Sequence, residues 1–535
     1  MIRLALLVQA LVLGACAFAP ARHAPVVVTV AAINDFHGNL RPPAEGAVVD
    51  GARVAAGGAA HLATLVERLR ARNPNFAFVS AGDMVGATPL LAAWFDDEPV
   101  IESLSLMGLD FNGVGNHEFD RGVQHLRRLQ DGGCPSGGCK SGAPFAGARF
   151  RMLAANVGEQ SSGKTVFPPY GIKDYGGVKV AFIGLTLRGT PFVLSPRARA
   201  GLEFRDEVET VNALVPELTQ QGVAAIVVLI HQGGIAGGGA NGCVNPQGPI
   251  MNLAPRFDPA VRVVVSAHTH QAYICRLGDK LVTSAGAYGR FVTEIELRID
   301  LAARQVIAAS ATNHLVRTDL PENAAQAELL ARYARLAAPI ERIVGRIAAP
   351  VPRDMNADGE SPLGRLIADS QLAATRGAGA RIAFMNPGGI RAPLEHKGDG
   401  SLTFADVYAV YPFANTLVTM SLTGAQILWM LEQQWLNNFV LQVSRGLSYS
   451  WDLARPPGSR VVPGSVTLDG APLEPEATYR VTVNDFLAEG GDGLTLLREG
   501  RERVSGMQGR DALLRYLEQH SPVAAPQDQR IRRLR

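Results

Sequence analysis

Past its first residues the chain lacks any apolar run approaching the ~20 residues that a membrane-spanning helix needs, so no span is predicted there. It also lacks an excess of either charge: 51 Lys and Arg against 49 Asp and Glu leave a net +2. That balance gives no reason to expect a nucleic-acid polymer or an acidic membrane surface as partner. Cysteine is scarce, with five in 535 residues. Setting Cys16 aside, Cys134 and Cys139 flank a Pro-Ser-Gly-Gly loop, and Cys243 and Cys275 are the other natural pair. A four-thiolate zinc site expects tighter spacing than one CxxxxC and two distant cysteines, so two disulfides in an oxidising compartment are expected.

What is present begins with a targeting segment, residues 1–24. Met1-Ile2-Arg3 is a short basic start and residues 4–15 are almost wholly apolar, the pattern of a signal peptide. Leu13-Gly14-Ala15-Cys16 resembles a bacterial lipobox, which predicts a lipid on Cys16 as the only membrane attachment; cleavage near Ala19 or Ala21 is the alternative. The protein is therefore expected to be exported, periplasmic or in the cell envelope. At 535 residues and 47% hydrophobic, the chain can build two or three domains of roughly 100 to 200 residues.

The first half repeats one pattern, an apolar run stopping at polar residues. The run 26–33 ends in Asn34-Asp35-Phe36-His37, 76–81 in Gly82-Asp83, and 106–114 in Gly115-Asn116-His117-Glu118. Later, 224–230 ends in His231, and 261–267 in His268-Thr269-His270. Continuous apolar runs are the mark of strands buried on both faces, and in layered α/β folds ligands gather where such strands stop. Each histidine alone is more often structural. Together Asp35, His37, Asp83, Asn116, His231, His268 and His270 are seven O and N donors, too many for one tetrahedral ion and suited to two that share a carboxylate. Asp83 is the natural bridge. One ion takes Asp35, His37, Asp83 and His270, and the other Asp83, Asn116, His231 and His268. Such a set without thiolate suits Mn, Zn, Co or Fe. His117 is left to serve a reacting oxygen, with Asp120 able to orient its ring.

From residue 322 to 347 the chain turns rich in Ala, Leu, Arg and Glu at helical spacing, with Pro339 inside. It reads as a helical connector as readily as a helix within one domain. Beyond it the polar marks differ. Asn386-Pro387-Gly388-Gly389-Ile390-Arg391 offers glycines for close backbone approach and an arginine able to fork onto phosphate. Tyr411-Pro412-Phe413-Ala414-Asn415 and the stretch 484–493 each set an aromatic, Phe413 and Phe486, beside loop-forming residues. Two such rings can sandwich a flat base, each stack worth about 1 to 3 kcal/mol.

Asp35-x-His37, Gly82-Asp83, Gly115-Asn116-His117-Glu118, His231 and His268-x-His270, in that order, resemble the blocks of the calcineurin-like metallophosphoesterases. Among them the chain resembles the bacterial 5'-nucleotidase and UDP-sugar hydrolase family, departing at Ala267, where the family usually has glycine. The resemblance implies an α/β chain: a four-layer αββα catalytic domain (25–318), a helical linker (319–347), a smaller α/β substrate-binding domain (348–522) and a tail (523–535). It implies two divalent ions, and hydrolysis of a small-molecule nucleotide, with UDP-sugars as a further substrate, by metal-bound hydroxide assisted by His117 and Asp120. Carried over to the second domain, Phe413 and Phe486 clamp the base, Asp492 meets the ribose hydroxyls, and Asn386 and Arg391 assist at the base and phosphate ends. Where relatives have further arginines before the next helix, this chain has Gly359-Glu360-Ser361, with only Arg365 nearby. The same architecture also serves 2',3'-cyclic-nucleotide 2'-phosphodiesterases with 3'-nucleotidase activity, whose base clamps tend to hold tyrosines, and thiosulfohydrolases. A non-enzymatic surface binding protein on this scaffold is the reading of another class.

Overall fold

The computed structural model describes residues 24–534 except 50, 136, 396, 397 and 414. The expected signal peptide and the expected lipid on Cys16 thus fall on residues outside the described ones. No helix among the described residues is long and apolar enough to cross a membrane.

Two six-stranded sheets form the first domain. One has the order Gln305–Leu315, Phe291–Asp300, Val26–Ile33, Phe76–Ser80, Phe111–Gly113, Arg151–Leu153. The other runs Ala272–Leu277, Lys280–Ala285, Val261–Ser266, Val223–His231, Val178–Thr186, Tyr170–Tyr175. Residues alternate between the faces of a strand, and the first strand shows what this does: Val28, Val30 and Ala32 meet Val180, Val227 and Val263 of the opposite sheet, while Ala31 and Ile33 join Leu62, Val66 and Val100 beneath the outer helices. Helices Ala59–Arg72 and Glu98–Met107 cover one sheet and Glu207–Gln220 the other, giving four layers, α, β, β, α. Because both faces of the central strands are dry, their sequences are continuous apolar runs, whereas the strand Phe291–Asp300 alternates. The neighbouring central strands of each sheet are parallel, so their polar ends come out along one edge.

Helix Ala324–Leu336, capped by Asn323, bridges the domains. Tyr333 packs on Phe95, and Ile340 shares a cluster with Leu90 and, across the boundary, Phe404 and Tyr408. Strand Ile343–Arg346 already pairs with Ser401–Thr403 of the second domain. That domain holds a five-stranded sheet, with Ile382–Met385, Thr478–Asn484 and Thr416–Thr423 side by side, and a four-stranded one.

One stretch differs from its sequence reading. The segment 523–535, set apart as a tail, returns into the second domain: Ile531–Arg533 lies parallel to Tyr449–Trp451, and buried Arg530 makes two 2.8 Å bonds to Asp369. An arginine whose partner lies 161 residues away leaves no local signal of its burial. The glycine-rich run 233–242 contributes strand Ile235–Gly237 to a short hairpin with Val244–Gln247, pinned by the Cys243–Cys275 disulfide. Cys134 and Cys139 are joined as well.

Candidate metal centre and substrate cleft

The polar strand ends meet in two adjoining groups, Asp35 with His37 and His270, and Asp83 with His231 and His268; within each group the donor atoms lie within 4.8 Å of one another. Asp83 stands between them. Its Oδ2 is 3.6 Å from His37 Nε2 and 3.0 Å from His231 Nε2, while Asp35 Oδ1 is 3.5 Å from His270 Nε2. Asp35, His37, Asp83 and His231 are all at most 1% exposed.

Backbone carbonyls fix which ring nitrogen faces inward. His37 Nδ1 donates to Gly86 O at 2.8 Å and His231 Nδ1 to Ala81 O at 2.9 Å; a carbonyl only accepts, so in both rings Nε2 is the nitrogen that faces the carboxylates. Burial pushes His37 down to about 3 and His268 to about 4, and lowers His270 too, keeping all three neutral, the form that binds metal. At His231 burial is overcome by Asp83 and Asp35, and its pKa rises to about 9: a proton fills the gap that a cation could bridge. Burial lifts Asp35 to about 7, whereas at Asp83 the imidazoles of His231, His117 and His37 outweigh burial and hold the carboxyl well below its usual range. Asn116 adds a buried Oδ1 without a hydrogen-bond partner among the described residues, a costly state for a polar atom and the expected one for an amide awaiting a metal. The thiolate-free donors and the unpartnered Asn116 Oδ1 fit two divalent ions of the oxygen- and nitrogen-seeking kind.

The loops are held under strain. Asp35, His37, Asp83, His268 and His270 all have φ between 44° and 73°, where side chains are disfavoured by about 1 kcal/mol or more each. At Gly115, a Cβ would run into Asp83 Oδ1 and the His231 ring, which excludes any other residue there.

Glu118 closes the turn Gly115-Asn116-His117-Glu118 and lies outside both donor groups. Its carboxylate collects the N–H groups of Asp83, Met84 and Gly115, each at 2.8 Å, and Asn112 Nδ2 at 3.2 Å, tying two ligand loops together. Asn34 does likewise for Asp35, donating to its Oδ2 at 2.7 Å and to Gly286 O at 2.6 Å. Neither role has a sequence signal beyond adjacency to a ligand.

Facing the ligand groups, His117 donates from Nδ1 to Asp120 Oδ2 at 2.8 Å, and its own backbone N–H binds Asp83 Oδ1 at 2.9 Å. Burial disfavours its cation, but Asp120 and Asp83 prevail and raise its pKa. A cavity of about 650 Å3 opens there, walled by Asn116, His117, Asp120 and His268 from the first domain and by Asn386, Arg391, Phe413, Phe486 and Asp492 from the second. Phe413 stacks on His117 with centroids 6.2 Å apart, and the Arg391 guanidinium lies 6.0 Å over the Phe413 ring. The two ends that the sequence separates by some 300 residues thus share one cleft. Arg365 does not reach it: it bonds Asp528 O and sits 3.7 Å from Glu360, outside the cavity wall.

Comparison with known proteins matches residues 28–272 to the calcineurin-like phosphoesterases and residues 343–499 to the 5'-nucleotidase C-terminal domain. Endonuclease YhcR of Bacillus subtilis is 30% identical over 525 residues, covering 96% of this chain and 41% of that protein. Cell wall protein Lmo0130 of Listeria monocytogenes is 31% identical over 511 residues, covering 89% and 64%. The chain therefore spans less than two thirds of either relative. A 5'-nucleotidase precursor of Thermus thermophilus, known from its crystal structure, is similar along nearly its full length, at 32% identity and TM-score 0.78 over 95% of this chain and 99% of that one.

Proposed function

Since the chain belongs to the calcineurin-like phosphoesterases that carry a 5'-nucleotidase C-terminal domain, we propose that it is a metal-dependent hydrolase of nucleotide phosphate esters, holding two divalent cations and selecting its substrate with the second domain. The observation that carries this reading is Asp83 Oδ2, set between His37 Nε2 at 3.6 Å and His231 Nε2 at 3.0 Å, one carboxylate oxygen shared by both ligand groups.

Asp35, His37, Asp83 and His270 would hold one ion, and Asp83, Asn116, His231 and His268 the other. When bound, two such ions neutralise charge on a phosphoryl group and activate water. The chain's own residues do the rest. Asp120 fixes the His117 ring through Nδ1 and favours its cation, the form whose Nε2 proton can be given to the departing oxygen. Arg391, whose positive charge is felt by the imidazoles of His37, His117, His268 and His270, is suited to a phosphate oxygen. Phe413 and Phe486 offer faces to a base, and Asp492 and Asn386 offer polar groups to the sugar and base. No serine or cysteine nucleophile is needed. The two disulfides support action in an exported, oxidising setting, with a lipid on Cys16 as the further expectation.

Phosphate release from AMP, UDP-glucose, ATP, 2',3'-cyclic AMP and 3'-AMP, measured beside the metal content, tests the reading. AMP is expected to be cleaved, with two ions per chain and loss of turnover on chelation. Full activity of protein stripped of metal would overturn it. Because one relative is named an endonuclease, single-stranded DNA belongs in the same screen and is expected to remain intact.

A further inference from the structure

Asn484 ends strand Thr478–Asn484, caps helix Asp485–Ala488 and is 2% exposed. A side-chain amide can be turned either way unless its surroundings forbid one choice. Here a backbone group forbids it. The Leu487 N–H donates to Asn484 Oδ1 at 2.9 Å, and a backbone N–H cannot be reversed. Asn484 must then present its Nδ2, which donates to Asn386 Oδ1 at 3.0 Å. Asn386 is oriented in turn, and its Nδ2 donates to Asp492 Oδ2 at 2.8 Å. The polarity of the whole line descends from one helix-end N–H.

Its last member is itself tightly placed. Asp492 has φ 53°, and its carbonyl accepts from Asn437 Nδ2 at 2.9 Å. Asn386 is the hydrogen-bond partner that the described residues give the Asp492 carboxylate, on Oδ2, and both residues line the cavity. We infer that Asn484 is a positioning residue for sugar recognition: it turns Asn386 so that Asp492 is gripped at Oδ2 and keeps Oδ1 as an acceptor for a vicinal diol, the ribose of a ribonucleotide rather than a 2'-deoxyribonucleotide. This rests on the nucleotidase reading, in which Asp492 faces the sugar.

Asn484→Asp separates this role from a merely structural one. Aspartate still accepts the Leu487 N–H and is among the best helix caps, so the helix end survives. What it removes is the hydrogen given to Asn386. That amide then swings its Nδ2 back toward residue 484 and turns its oxygen against the Asp492 carboxylate. With the metal-loaded full-length protein, KM for AMP is expected to rise about tenfold, the scale of one hydrogen bond to a charged group, with kcat changed less than threefold and the preference for AMP over 2'-deoxy-AMP falling toward one. Asn484→Ser, which can cap but is too short to reach Asn386, gives the same pattern and stands in if the aspartate variant does not fold. Asp492→Asn is the reference. If it abolishes the ribose preference while both Asn484 variants keep it, the relay is wrong. If Asp492→Asn itself leaves the preference intact, the assignment of Asp492 to the sugar fails, and the inference with it.

Discussion

Replacing Asp83 by asparagine keeps the shape of the site and removes one charge. Oδ1 still accepts the His117 N–H, as it does now at 2.9 Å, so the turn that carries His117 is retained. The position facing His37 and His231 loses its negative charge. Asp35 and Asp83 are the only carboxylates among the seven donors, so two divalent ions would sit over a single negative charge instead of two. At ~4 Å and an effective dielectric near 20, one pair of unit charges is worth about 4 kcal/mol, or roughly three orders of magnitude in affinity, and Asp83 serves both ions. Dialysed Asp83→Asn is therefore expected to hold less than one ion per chain by elemental analysis, and to release phosphate from AMP at least about a thousandfold more slowly at micromolar metal. Its unfolding temperature without metal should stay within a few degrees of the metal-free parent, because the lost attraction to His231 is offset by relief from Asp35 and Glu118. Two tightly held ions and near-parental turnover in this variant would refute the shared-carboxylate argument.

Three further outcomes follow from the same geometry. His117→Asn should leave metal content and KM for AMP near parental while kcat drops by several orders; a KM effect alone would place His117 in binding rather than chemistry. Phe413→Ala removes a stacking face worth about 1 to 3 kcal/mol, so KM for AMP should rise roughly 5- to 150-fold while glycerol phosphate, which has no ring to stack, is less affected. Glu118→Gln replaces an acceptor of four hydrogen bonds by one that accepts on a single atom, and urea unfolding should report a loss of about 2 to 4 kcal/mol; an unchanged midpoint would show that the loops are tied by something else.

How far the sequence reaches depends on the distance over which each feature is determined. The layered fold was legible because its central strands are buried on both faces and must be written as unbroken apolar runs, and the candidate donors could be listed because each follows the end of such a run. The ring His117 and its holder Asp120 are three residues apart, within reach of a local reading. What tied the donors in place was not legible. Glu118 bonds the N–H of Asp83, 35 residues earlier, and Asn34 bonds Gly286, 252 residues later, and neither pairing follows from any periodicity. The same holds for Arg530, whose charge looks like part of a solvated tail until Asp369 is beside it. Phe413 and Phe486 could be singled out as rings on loops, but that Phe413 lies over the His117 ring depends on the packing of Phe404 and Tyr408 against Leu90 and Phe95 across the boundary.

The left-handed backbone at Asp35, His37, Asp83, His268 and His270 bears on how such a centre is supplied. Conformations this unfavourable persist only because surrounding packing enforces them, so the cradle is shaped during folding and an arriving ion has little left to organise. Capture and loss of ions then become matters of diffusion and abundance. If the proposed ions bind there, one could be replaced by another as the surroundings change, without unfolding of the chain.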